Sequence, residues 1–251
     1  ISSDLPDRHL VWRMVQDHEK AELLFAATEF GIFFTIDAGE NWIELEGGIP
    51  TISFRDLAIQ KRENDLVGAS FGRGFFVLDD YSALREVSQE SLEQEGSLYS
   101  TRKAWLYIPR PDLDPDDYKG TQGASFYVAP NPAYGATFTY HLRDGLKTLA
   151  ETRQASEEPM EAAGEDIAFP GWEAVSKEAT QAAPSVFVVV RDAEGNVVRR
   201  VEGPVSKGFH RIAWDLRYPA PKAITLHETT DGEEPSGLLA APGTYTATLY
   251  K

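Results

Sequence analysis

The chain contains no cysteine, which excludes disulfides, thiol catalysis and cysteine-ligated zinc. It has no apolar run near the ~18 residues that a membrane-spanning helix needs. The longest apolar stretch, Val186 to Val190, has the length of a strand. Basic residues are scarce, with 24 Lys and Arg against 40 Asp and Glu for a net charge of −16. A surface of that sign repels phosphate backbones, so nucleic acid is excluded as a partner, and it keeps a folded protein dispersed. The Gly-x-Ser-x-Gly elbow of serine hydrolases is missing, since Gly68 and Ser70 lack the turn that follows, and Gly72 to Gly74 is too short for a phosphate loop. The five histidines, His9, His18, His141, His210 and His227, show no short metal-ligand spacing. The start at Ile1 has neither an initiator Met nor the basic and apolar regions of a signal peptide, and is expected to mark a processed or excised part of a longer protein.

What is present is β-structure with an internal echo. The 251 residues, 42% hydrophobic and 11% aromatic, suffice for one large domain or two ordinary ones. The segment from Leu23 to Asp37 is echoed by Asp65 to Asp79, with Gly31 matching Gly74, Phe33 matching Phe76 and Asp37 matching Asp80. The spacing of about 43 residues is that of a four-stranded propeller blade. Strands are expected at 11–15, 23–28 and 32–35, then at 54–59, 66–70 and 75–78. A polar, partly helical exit segment spans 82–94. Further strands are expected at 104–108, 124–128, 136–142, 185–191, 197–201, 208–216 and 245–250, with short helices over 146–181 interrupted at Pro159 and Pro170. Phe187, Val189, His210, Ile212, Trp214, Tyr245, Ala247 and Leu249 alternate at period two and are expected to face a core.

Thr35, Asp37, Gly39 and Trp42 match the pattern Ser/Thr-x-Asp-x-Gly-x-x-Trp, known in β-propellers as the Asp-box or BNR motif. Asp37 accepts hydrogen bonds from its own turn, Gly39 supplies a positive φ, and Trp42 packs back over the loop. The motif speaks to architecture and hardly to chemistry. Together with the stretches Val11 to Asp17, Gly72 to Asp80, Asn131 to Ala136, Asp192 to Arg199 and Gly208 to Arg217, it makes the whole chain resemble the C-terminal part of the sortilin-like BNR-repeat proteins, a family of large secreted bacterial proteins often catalogued as glycosyl hydrolases. The second copy departs from the pattern by lacking an Asp-box.

The resemblance implies a mainly β chain, exported in a bacterium to the periplasm, cell surface or medium. Residues 1–85 are expected as about two terminal propeller blades, 86–103 as a linker, and 104–251 as an immunoglobulin-like sandwich with a helical insertion. Two blades cannot close a ring. The open strand edges are therefore expected to meet the remaining blades, to self-associate, or to be covered by the sandwich.

A glycosidase needs two carboxylates flanking a sugar, and Glu29, Asp56, Asp79 and Asp80 are the candidates in the repeat. Glu29 is expected to face a central channel, as is Arg73 at the equivalent place one repeat later. No residue is assigned as catalytic. Asp112, Asp114, Asp116 and Asp117 echo a calcium loop, but the EF-hand positions for Gly and Glu hold Asp117 and Gly123. A looser Ca²⁺ site at Asp112, Asp114 and Asp116 is the one cofactor candidate. The aromatic residues Tyr107, Tyr118, Tyr127, Tyr134 and Trp172 are scattered over unlike elements, which weakens a sugar-stacking surface. The expected role is non-catalytic: propeller completion and binding of a protein or peptide. The alternatives are part of a glycoside hydrolase with its catalytic residues in upstream blades, or a carbohydrate-binding tail.

Overall fold

A computed structural model describes residues 4–6, 9–108, 129, 131–220 and 236–251. The chain is mainly β, folded into small antiparallel sheets, none of them closed. It divides into two compact units, Ile1–Ser91 and Leu92–Lys251.

In the first unit, β1 (Val11–Gln16), β2 (Leu24–Thr28), β3 (Gly31–Thr35) and β4 (Ile43–Glu44) form one sheet in that order. A second sheet holds β5 (Phe54–Gln60), β6 (Asp65–Ser70) and β7 (Gly74–Leu78), followed by a 3₁₀ helix, Tyr81–Arg85. Strands β2 and β3 are short, rich in Phe and Ala, and buried on both faces. On one face Phe25, Ala27, Ile32 and Phe34 join Phe54, Leu57 and Leu66 of the second sheet in a shared core. On the other, Ala26 and Phe33 are covered by Leu5 and Trp42. Gly68 permits the close approach of the sheets, since a Cβ there would lie 3.0 Å from both Ile32 and Phe54.

The repeat extends to individual hydrogen bonds. Val11 pairs with Thr28 and Phe54 with Ser70, and each pairing is followed at once by a bulge, between Val11 and Arg13 and between Phe54 and Asp56. The Thr28 hydroxyl donates to the Gly31 carbonyl at 3.0 Å, and the Ser70 hydroxyl donates to that of Gly74 at 2.8 Å. The Glu29 N–H donates to Leu10 and the Phe71 N–H to Ser53. Glu29 is thus equivalent to Phe71. The alignment of Glu29 with Arg73 is corrected, because the β6–β7 turn holds one more residue than the β2–β3 turn.

In the second unit, β8 (Gly96–Leu98), β9 (Ala136–Leu142) and β12 (Gly208–Trp214) form a sheet in the order β12-β9-β8, while β10 (Val186–Arg191), β11 (Val197–Gly203) and β13 (Thr246–Tyr250) form β11-β10-β13. Phe138, Trp214 and Ile212 of the first share a core with Val188, Val190, Val198 and Leu249 of the second. Between β9 and β10 lie α2 (Leu149–Ala162) and α3 (Trp172–Thr180), preceded in the chain by the short α1 (Gln89–Glu93). A capping box of Thr148 and Glu151 starts α2, and Arg153 of α2 pairs with Glu178 of α3 at 2.8 Å. Neither helix buries a residue.

Several expectations are corrected. Residues 104–108 form no strand, and Trp105, Leu106, Tyr107 and Ile108 are all exposed with no alternation; a strand needs a partner, and no neighbouring ladder takes these residues up among the described ones. Gly96–Leu98, assigned to a linker, is a strand of the second unit. Pro159 lies inside α2; it stands within the last turn, so the missing N–H costs one exposed hydrogen bond and leaves the helix intact. In β10 the core residues are Val188 and Val190, so Phe187 and Val189 occupy the opposite face, a one-residue shift in a strand whose two faces are nearly equally apolar. The expected strand at 124–128 lies outside the described residues.

Candidate functional site

The two ends of the sheets in the first unit carry different chemistry. At the end where β3 leaves its sheet, the turn after Thr35 is satisfied internally. Asp37 Oδ1 accepts from the Thr35 hydroxyl at 2.6 Å and from the Glu40 and Asn41 N–H groups at 3.0 and 2.9 Å, and Oδ2 accepts from Asn41 Nδ2 at 2.7 Å. Gly39 takes φ 94°. Trp42 is buried, and its N–H donates to the Asp4 carboxylate at 3.0 Å. Desolvation alone would raise the Asp37 carboxyl, but the Asn41, Thr35 and Glu40 donors outweigh it and hold the group at about 2. Four donors occupy this carboxylate, which leaves it little capacity for a substrate.

At the same end, Asp17 follows β1 with its side chain fully shielded. Its Oδ1 accepts from the Tyr81 hydroxyl at 2.6 Å and Arg85 Nη2 at 2.9 Å, and its Oδ2 from Arg85 Nε at 2.9 Å and the Lys20 N–H at 2.7 Å. Arg85 also donates to Asn64 Oδ1 at 2.7 Å. Burial acts to raise the Asp17 carboxyl, yet the Arg85, Tyr81 and backbone donors hold it far below the usual range. Burial and the Asp17 charge both push the Tyr81 phenol up. This network ties the end of the first sheet to the helix that follows the second. Its geometry is that of a clasp, with the Asp17 carboxylate filled by these donors.

The opposite end carries the candidate site. Trp12 and Arg55 are the extra residues of the two bulges, and a bulge turns its unpaired side chain away from the ladder. The Arg55 guanidinium lies 3.7 Å from the Trp12 ring centroid and 5.2 Å from that of Phe71, within cation–π range. Glu29 fixes the arrangement: Oε2 accepts from Trp12 Nε1 at 2.8 Å, and Oε1 lies 4.0 Å from Arg55 Nη2. Trp12 is 40% and Phe71 71% exposed. Beside them, Arg13 of β1 pairs with Asp56, its own repeat equivalent on β5, at 3.4 Å. Rigid strands thus hold an aromatic and charged surface open to solvent. Within this cluster Glu29 and Asp56 each lie beside an arginine.

Of the residues singled out from sequence, Thr35, Asp37, Gly39 and Trp42 share one turn. Glu29 belongs to the cluster at the other end. Arg73 is exposed in the β6–β7 turn, the turn that also holds Phe71. Asp80 takes φ 45° and caps the 3₁₀ helix through Ser82. Asp112, Asp114 and Asp116 lie outside the described residues, as do Tyr118, Tyr127 and His227. Among the described residues no group of three or more His, Asp or Glu side chains could hold a metal ion, and no helix is long and apolar enough to cross a membrane. Sequence reading missed Trp12, Arg55 and Phe71, and also Asp17, Tyr81 and Arg85. The repeat held the signal for the first set, because Arg55 stands where Trp12 stands one copy earlier.

In the second unit, a cavity of about 780 Å³ opens between the sheets, lined by Phe138, Val190, Trp214, Leu216 and Tyr245. His141 is buried against Phe209, and no hydrogen bond reaches its Nδ1. Burial first, then His210 and Lys207, keep its ring neutral by lowering its pKa.

No protein-family model matches the chain, and comparison with curated proteins and with solved structures gave no match.

Proposed function

We propose that the chain is a non-catalytic binding region of an exported protein of the sortilin-like BNR kind. In this reading the first unit supplies two propeller blades, the second is an immunoglobulin-like sandwich, and the ligand is a protein or peptide. One observation carries it. The unpaired bulge residue of each repeat projects at the same end of the sheets, and the two stack as Trp12 on Arg55 beside Phe71. An exposed aromatic pair with a guanidinium pinned between its members suits a peptide that seats an apolar side chain on the rings and a carboxylate or carbonyl on Arg55. The commitment of Glu29 and Asp56 to arginines favours binding over hydrolysis.

Selection from a displayed random-peptide library, with a glycan array in parallel, tests the reading. Enriched peptides should lose at least about tenfold in affinity, roughly 1.4 kcal/mol, on Trp12→Ala or Arg55→Ala, with the melting curve unchanged. Binding should also quench Trp12 fluorescence. Glycans captured in place of peptides, or turnover of aryl glycosides by the chain, would refute it.

A further inference from the structure

The cavity of the second unit differs in charge from the rest of the chain. Its floor is built from both sheets, with Phe138 and Trp214 from one and Val190 and Ala247 from the other. Trp214 and Tyr245 meet edge to face, their ring centroids 5.2 Å apart. The polar atoms of these two rings are already used: Trp214 Nε1 donates to the Arg217 carbonyl at 2.8 Å, and the Tyr245 hydroxyl donates to that of Ala241 at 2.6 Å. Such a floor offers apolar contact and little else. Residues 98–106 line another side, and they include the adjacent, exposed Arg102 and Lys103. Trp105 of the same stretch holds the Lys103 ammonium 4.6 Å from its ring centroid, within cation–π range. None of the described lining residues is acidic, although acidic residues outnumber basic ones 40 to 24 in the chain.

The volume of about 780 Å³ falls within the roughly 300–1,000 Å³ of small-molecule sites, which pair an apolar lining with a few placed polar groups. We propose that this cavity binds a small amphiphile with a single carboxylate head. Its apolar body lies on Phe138, Trp214 and Tyr245, and its head meets the Lys103 ammonium, with Arg102 adding to the positive potential there. Burial of the body supplies most of the affinity, and the two cations select the sign of the head. A cationic head finds no carboxylate among the described lining residues to receive it. The site is independent of the peptide reading, because the Trp12 cluster belongs to the other unit.

Calorimetric titration of the full chain with dodecanoate, dodecanol and dodecylammonium, all kept below micelle-forming concentrations, tests this. Dodecanoate should bind at one site per chain, and dodecylammonium at least about tenfold more weakly, the worth of one charge-assisted contact. Non-specific adsorption to a chain of net charge −16 predicts the opposite order. Shortening the tail to decanoate should cost about tenfold or more, as expected for two buried methylenes. Lys103 is exposed, so Lys103→Gln should leave the melting curve of the free chain unchanged while bringing dodecanoate affinity toward that of dodecanol. Ala247→Leu, which narrows the cavity, should weaken all three probes. The order of the three head groups on the parent chain decides the matter even where Ala247→Leu lowers stability. Dodecylammonium binding as tightly as dodecanoate, several equivalents bound, or dodecanoate affinity unmoved by Lys103→Gln would overturn the proposal.

Discussion

Two aspartates near one end of the first unit show how environment assigns a role to a residue type. Asp37 accepts only from its own turn, and Asp192 repeats that device with Glu194 and Asn196 at Gly195. Asp17 instead draws its partners from as far as Arg85. Replacing Asp17 by Asn leaves Arg85 with Glu19, 2.8 Å away, as its remaining carboxylate, so the loss should fall below the ~3–5 kcal/mol of a buried charge left wholly unpaired; urea unfolding should show it as a fall in midpoint at unchanged slope. Both carboxyls are held low in the folded chain, Asp37 at about 2 and Asp17 further down. Their stabilisation is therefore complete above the unfolded carboxyl pKa of ~4 and drains away as pH falls below it. The Tyr81 phenol is pushed up, so its contribution holds below the unfolded value of about 10 and is lost at higher pH. A stability profile by denaturant titration should fall at both extremes, and Asp17→Asn should flatten the acid limb.

At the scale of elements, close approach decides more than propensity. Gly203 closes β11 beneath Tyr140, whose hydroxyl donates to the Pro204 carbonyl at 2.7 Å. A Cβ at Gly203 would lie 2.4 Å from that hydroxyl oxygen, so Gly203→Ala must displace a fully buried ring or break its hydrogen bond. The expected loss is about 2–4 kcal/mol, overpacking plus one hydrogen bond. Tyr140→Phe should cost only about 1 kcal/mol, and the double variant should recover part of the alanine penalty in thermal unfolding. Helices α2 and α3 obey a different rule. They bury no residue; the Arg153–Glu178 pair joins them and Arg153–Glu157 is an i,i+4 pair within α2, surface contacts of small individual worth. Their existence rests on local sequence: a capping box, good helix formers, and Gly171 before Trp172.

For the molecule as a whole, each unit has a core of its own. The clusters around Phe25 and Ala26 fall within one unit, and those around Trp214 and Tyr140 within the other. Calorimetry should accordingly resolve two unfolding transitions. Phe25→Ala, a fully buried ring, should lower only one of them, by about 3–5 kcal/mol; a single transition lowered as a whole would contradict separate cores.

The positions of the strands in the repeat, the turns at Asp37 and Asp192, and the helical excursion after β9 were all legible in the sequence, because their causes are local. Alternation, a glycine at positive φ and an aspartate within four residues of its donors need no distant partner. The absent strand at 104–108, the shifted faces of β10 and the equivalence of Glu29 with Phe71 were not legible, because each depends on what lies across a sheet. The sequence by itself determined the β character, the repeat and the lack of thiol chemistry. Tertiary structure alone decided that Trp12 meets Arg55 and that Asp17 reaches Arg85, since a contact between residues 40 or more positions apart is set by packing and register, to which local propensity is blind.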